Sequence, residues 1–202
     1  MNKKLILATA IAISAAATAC TTFVPEEDAM SFFITSVGSG DGADLGGLRG
    51  ADRHCASLAR AAGSRGKTWV AYLSAHETAN SPRVNARERI GFGPWYNAAN
   101  VQVASTLNNL HSDYMQLGKA NSLTENGDTV NGRGDTPNEH DVLTGSSLSG
   151  RLIDDGSNHT CNNWTSSGEG SAQVGHFDRT GGGANPNSWN SAHGSRGCGQ
   201  AD

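Results

Sequence analysis

Basic charge is scarce in this chain, and so is any recognisable catalytic motif. Its 202 residues carry 15 Lys and Arg against 19 Asp and Glu. That balance gives no electrostatic footprint for nucleic acid or anionic glycans. No Gly-x-Ser-x-Gly elbow, His-Glu-x-x-His metal helix or Gly-x-x-x-x-Gly-Lys phosphate loop occurs. The motif-bearing hydrolase, metalloprotease and nucleotide-binding classes lose their usual signatures. There is no internal repeat and no low-complexity tail. The one long apolar run, Leu5 to Ala19, is too short to favour a transmembrane helix.

What is present starts with that run. Lys3 and Lys4 precede it and Ala17-Thr18-Ala19 closes it before Cys20, the layout of a secretory signal over residues 1–19. Small residues at 17 and 19 suit ordinary cleavage. Cys20 resembles a lipobox cysteine, although the usual Leu three positions earlier is missing, and the lipidated reading is favoured. Residues 20–30 then form a tether, and residues 31–202 one domain of a size that sustains a core. Loss of residues 1–19 removes two lysines and no acid, leaving 13 basic and 19 acidic residues, net −6. The 26 glycines and the low charge fit a loop-rich extracellular module, while apolar and aromatic residues spread along the chain argue against disorder.

Local patterns predict an α+β domain. Phe32 to Thr35 is a short β-prone run. Leu48, Ala51, Cys55, Leu58, Ala59 and Ala62 share one helical face, ended by Gly63 and Gly66. Trp69 to Leu73 reads as a central strand, Asn85 to Arg89 as a helical turn, and Val101 to Ala104 as a half-buried strand. From Asp113 to Asp141 no period is visible, the mark of a long and often functional loop. Short strands are expected near Leu152-Ile153, Asn162 to Thr165 and Ala172 to Phe177, with a flexible turn at Gly181-Gly182-Gly183.

The order of several motifs resembles a known family. Gly47-Leu48-Arg49-Gly50-Ala51-Asp52, Cys55, Ala59-Arg60-Ala61-Ala62-Gly63, Gly66-Lys67-Thr68-Trp69 and Ala71-Tyr72-Leu73-Ser74 are similar to the first half of endostatin. Endostatin is the C-terminal non-collagenous domain of certain collagens. Gly145-Ser146, Gly150-Arg151-Leu152, Cys161-Asn162-Asn163-Trp164-Thr165 and Ala192 to Cys198 resemble its second half. Residues 76–140 match loosely. The nearest pattern is that of bacterial outer-surface proteins described as lectin-like. The resemblance implies an endostatin-like, C-type-lectin-like fold with a mixed twisted sheet, one main helix and long loops. It also implies nested disulfides, with Cys161–Cys198 as the inner bridge and Cys55 as the helix end of an outer one. A cysteine-bearing terminal strand is then expected after Cys198, where only Gly199 to Asp202 stand, so the domain reads as C-terminally truncated. An unpaired Cys55 in an oxidising compartment is otherwise odd. Endostatin's zinc site uses N-terminal histidines. None precedes His54 here, so that site is not carried over.

Candidate chemistry is sparse. His54 and Cys55 are adjacent on a helix and diverge, which disfavours a thiol–imidazole pair. His140-Asp141, His176 with Asp178, and His193 include competent zinc ligands, but without zinc-motif spacing they read as structural or surface residues. They converge only if their loops gather at one end of the sheet. Asp128, Asn131, Asp135, Asn138, Glu139 and Asp141 offer oxygen ligands of the kind calcium takes, yet paired calcium signatures are missing. No cofactor is expected, calcium being the one exception allowed for. Trp69 and Trp164 read as core. Trp189, among Asn187, Ser188, Asn190, Ser191 and His193, reads as the aromatic that faces a ligand.

The expectation is a non-enzymatic, lectin-like surface module, exported as a lipoprotein of a Gram-negative outer membrane or as a secreted protein. Its membrane contact is through a lipid anchor alone. It is expected to bind carbohydrate or an extracellular protein through Asp135, Asn138, Glu139 and Asp141 on one loop and Trp189, Asn190 and His193 on another. A protein–protein adhesion module is the first alternative, marked by an apolar patch. A metal-dependent enzyme is the second, and it requires His140, His176 and His193 to cluster.

Overall fold

The computed structural model describes residues 29–200. The expected signal segment and Cys20, with nearly all of the tether, lie outside the described residues. Among the described residues no helix is long and apolar enough to cross a membrane. The architecture is α+β, built from one substantial helix, short helical turns and two small antiparallel sheets.

Helix α1, Gly47–Ala61, forms where the three- and four-residue spacing of apolar side chains places it. It ends in a Schellman arrangement: Gly63, at φ 94°, and Ser64 donate to the carbonyls of Arg60 and Ala59. Ala51 and Ala59 are its buried residues, and it packs with Leu73, Trp164, Ala172 and the Cys161–Cys198 pair in one core cluster. A second cluster gathers Trp95, Val103, Leu110, Met115 and Trp189. Around it lie the strands β1, Trp95–Tyr96, and β2, Gln102–Ala104, which pair with each other. The turns α2, Ala86–Arg89, and α3, Leu107–Leu110, flank them in sequence.

The larger sheet has the order β3-β4-β5, with β3 Asp141–Leu143, β4 Gln173–His176 and β5 His193–Gly194, all antiparallel. Strand β3 thus opens at the end of the stretch that shows no period. Gly175 at the middle of β4 is required by close approach. A Cβ there would lie 1.9 Å from the Trp189 carbonyl oxygen, so the chain entering β5 lies against the strand.

Two expected strands are absent, and those at Phe32 to Thr35 and Leu152-Ile153 shrink to single bridges at Ile34 and Leu152. At Trp69 to Leu73 the backbone joins no ladder, because side chains take its bonds: the Ala71 amide donates to Asp52 and its carbonyl accepts from Arg89. Asp52 and Arg89 are themselves paired at 2.6 Å, fixing α1 to α2 across this segment. At Cys161–Trp164 the chain makes a single left-handed turn, with φ of 43°, 56°, 56° and 66°. Asparagine tolerates this region better than most residues, and Asn162 and Asn163 occupy its middle. The Thr160 hydroxyl accepts the Asn163 amide, the Asn163 side chain bridges the His76 amide and carbonyl, and the buried Trp164 indole donates to the Ser74 carbonyl. Cys161 is bonded to Cys198 at a Cα separation of 5.7 Å, and Cys55 is a free, half-buried thiol.

Candidate metal centre

Antiparallel pairing brings the chemistry together at one end of the larger sheet. Asp141 opens β3 and lies opposite His176, the last residue of β4; His193 opens β5 opposite Val174. Residues 174 and 176 share a face of β4, so Asp141, His176 and His193 project from the same side. Thr144 and Phe177 donate across the ladder to Gln173 and His140. Asp141 and His176 therefore fall on a non-hydrogen-bonded pair, the closer of the two antiparallel spacings. His140, one residue before β3, stacks its ring on His176 with centroids 4.3 Å apart and planes 11° apart.

The geometry at the centre of this group is specific. Asp141 Oδ1 lies 3.3 Å from Nε2 of His140, 3.3 Å from Nε2 of His176 and 3.7 Å from Nε2 of His193. Ligand atoms of His140, Asp141 and His176 all lie within 4.8 Å of one another, the one such group among the described residues. Zinc bonds of about 2.0–2.1 Å in a tetrahedron place neighbouring ligand atoms about 3.3 Å apart. The two 3.3 Å separations match edges of that figure, while His193, 3.7 Å from Asp141, falls outside the three-residue group.

The other ring nitrogens settle the tautomers. His176 Nδ1 lies 2.8 Å from the Pro186 carbonyl oxygen, His193 Nδ1 2.9 Å from the Gly194 carbonyl oxygen, and His140 Nδ1 3.3 Å from Asp178 Oδ1. Carbonyls and carboxylates only accept, so each Nδ1 carries a proton and each Nε2 is turned toward Asp141. A ring that is neutral presents a lone pair there, and lone pairs facing a carboxylate oxygen need a cation or a proton among them. The side chain of His176 is 1 % exposed, and its Nε2 is buried with no hydrogen-bond partner. Exposure rises to 12 % at His140, 33 % at His193 and 42 % at Asp141, so the group opens to solvent on one side.

Two surrounding features shape the site. Asp178 accepts the Arg133 amide at 2.7 Å on one oxygen, and the Thr180 amide at 3.2 Å and His140 on the other. Burial works to raise its carboxyl, but those donors outweigh it and hold the group below the ordinary carboxylate range. Gly181, at φ 144°, roofs the imidazoles. A Cβ there would sit 2.5 Å from the His176 ring and 3.1 Å from that of His140, so the backbone comes closer than any side chain permits.

Of the residues predicted to face a ligand, Asp141 belongs to this group, His193 stands at its edge 3.7 Å from Asp141, and the others lie outside it. Trp189 and Asn190 are corrected to interior positions. Trp189 is 4 % exposed, its indole donates to the Leu110 carbonyl at 2.7 Å and its ring packs 4.7 Å from Tyr72. The Asn190 amide donates to Tyr72 and to the Ser147 carbonyl. Polar neighbours made position 189 look like a loop surface, but those polar groups are satisfied internally. Asp135 pairs with Lys119 and accepts the Gly132 amide, Asn138 accepts the His140 amide at 3.4 Å, and Glu139 is exposed. Asp128, Asp135 and Glu139 form no carboxylate cluster with Asp141. His140 and His176 were readable as competent ligands, and Asp178 as their neighbour. No spacing signal marks them, because the ligands come from three different strands. No protein-family model matches this sequence, and no curated protein matches it.

Proposed function

We propose that this domain is a metal-binding surface module whose functional element is a zinc-type centre formed by His140, His176, His193 and Asp141. The carrying observation is the approach of the Nε2 atoms of His140 and His176 to Asp141 Oδ1 at tetrahedral-edge distances, with His193 beside them at 3.7 Å and the His176 nitrogen otherwise unpartnered. Three nitrogens and one carboxylate suit zinc better than calcium or magnesium, which take mostly oxygen. With His193 drawn in as the fourth ligand, the tetrahedron is full and leaves no position for a reacting water, as in a holding site; His140, Asp141 and His176 alone would leave that position open. The two loop regions expected to bind a ligand, around residues 125–145 and 185–196, supply three of the four ligands. A carbohydrate or protein partner would accordingly meet the exposed Asp141–His193 corner.

An endostatin-like arrangement belongs to the same reading. It draws support from the Cys161–Cys198 bridge, from the free Cys55 on α1 and from the packing of α1 against the Trp164 turn.

The test is cobalt(II) titration of the metal-stripped protein followed by visible absorption. One equivalent with intense tetrahedral bands, displaced by zinc and lost in His176→Ala, is expected. Absence of stoichiometric binding sinks the proposal. A zinc-loaded protein that hydrolyses ester or peptide substrates, with the activity lost in His176→Ala, would sink the holding role.

A further inference from the structure

Resting on the metal reading, we infer that Asp178 is a positioning residue for the centre, the carboxylate that fixes how His140 presents its Nε2. Asp178 touches none of the four converging ligand atoms, so its action goes through His140. Its side chain is 3 % exposed and lies at the Nδ1 side of that ring, opposite the metal side. His140 precedes β3, where the ladder holds its carbonyl through the Phe177 amide but leaves the direction of its ring to other contacts. Its ring is oriented by stacking on His176 and by Asp178. A carboxylate orients a ring only if it is itself held, and Asp178 is. The Arg133 amide fixes Oδ2 and the Thr180 amide fixes Oδ1, from two separate loops. Gly132 gives the carboxylate room, since a Cβ there would lie 2.6 Å from Oδ2.

An ionised carboxylate accepts on both oxygens, so Arg133, Thr180 and His140 are all served. Asparagine has a single acceptor oxygen and sets its amino group against one of those donors. Asp178→Asn is thus nearly the same shape and the wrong chemistry. Loss of such an outer partner lowers metal affinity by about 10–100-fold.

The experiment pairs cobalt(II) titration of wild type and Asp178→Asn with nitrogen-15 NMR of the histidine rings in the metal-free proteins. In wild type, His140 is expected as the Nδ1–H tautomer. In Asp178→Asn, it shifts toward Nε2–H, cobalt affinity falls about 10–100-fold and far-ultraviolet circular dichroism is unchanged. An Asp178→Asn affinity within about twofold of wild type, or Nε2–H at His140 in wild type, overturns the inference. If Asp178→Asn fails to fold, the wild-type tautomer decides. Failure of wild type to take up cobalt overturns the metal reading instead, and the tautomer still reports whether Asp178 orients the ring.

Discussion

Strand β4 has two ends, and they solve opposite problems. At its start, next to Ala172, the Cys161–Cys198 corner is complete: a covalent bond, a buried indole with a partner and a left-handed turn whose asparagines are bound on both sides. Four consecutive positive φ values cost on the order of 1–2 kcal/mol each, so the turn persists because its surroundings over-determine it. At the end of β4, His176 is as deeply buried as Trp164, yet its Nε2 faces other acceptors and lacks a partner. One end is self-sufficient. On the proposed reading the other is completed from outside, the difference between a structural corner and a binding site.

The largest break in that comparison comes from the covalent end. Replacing Cys161 and Cys198 by serine should cost about 4 kcal/mol by chain entropy, or roughly 8–15 °C in melting temperature for a domain of this size. Scanning calorimetry of the double variant reads it, and a loss of under about 3 °C would show that the hydrogen-bonded turn alone holds the corner. Next comes the metal end. Zinc at a hundredfold excess over its dissociation constant should stabilise wild type by about 2.7 kcal/mol, a rise of roughly 5–10 °C, and should leave His176→Ala unmoved. An equal rise in both proteins would place the ion elsewhere.

A smaller effect concerns Cys55. Burial first, then the nearby Asp52 charge, pushes its thiol up to about 11, so at pH 8 its thiolate fraction is about one in a thousand. Iodoacetamide should label it roughly a hundredfold more slowly than a free thiol, with the rate climbing until the pH passes about 11. Fast labelling at pH 8 would mean that α1 opens around it. The smallest effect is at Asp135. Asp135→Asn removes an ion pair with Lys119 on the surface and should leave cobalt affinity unchanged, because that loop tip does not reach the histidines. A drop in affinity would extend the centre into the 132–139 loop.

Periodicity made α1 and β2 legible, β4 lies within the short strand expected near Ala172 to Phe177, and Trp164 was readable as core. Trp69 to Leu73 misled because its β-prone side chains say nothing of backbone partners, and Asp52 and Arg89 took Ala71's bonds. Cys161 to Trp164 misled because a left-handed turn has no hydrophobic period. The paired asparagines were the available hint. The metal centre illustrates the limit more sharply. His140 and Asp141, His176, and His193 stand on separate strands, so their proximity is a property of sheet register and not of spacing. Trp189 was misplaced for a related reason: polar neighbours signal solvent only when they are not bonded to one another.

The roof over the imidazoles has a kinetic consequence. Gly181 lies against His176 and His140, so that side is shut, while Asp141 and His193 face outward. On the proposed reading, an arriving ion would meet the carboxylate first, His193 next and the buried His176 last. Asp141 thus stands at the door and His176 at the back wall. The rate of exchange with a chelator should follow the swing of one aspartate side chain. Stopped-flow transfer of zinc to a chelator would show this as a large acceleration in Asp141→Ala.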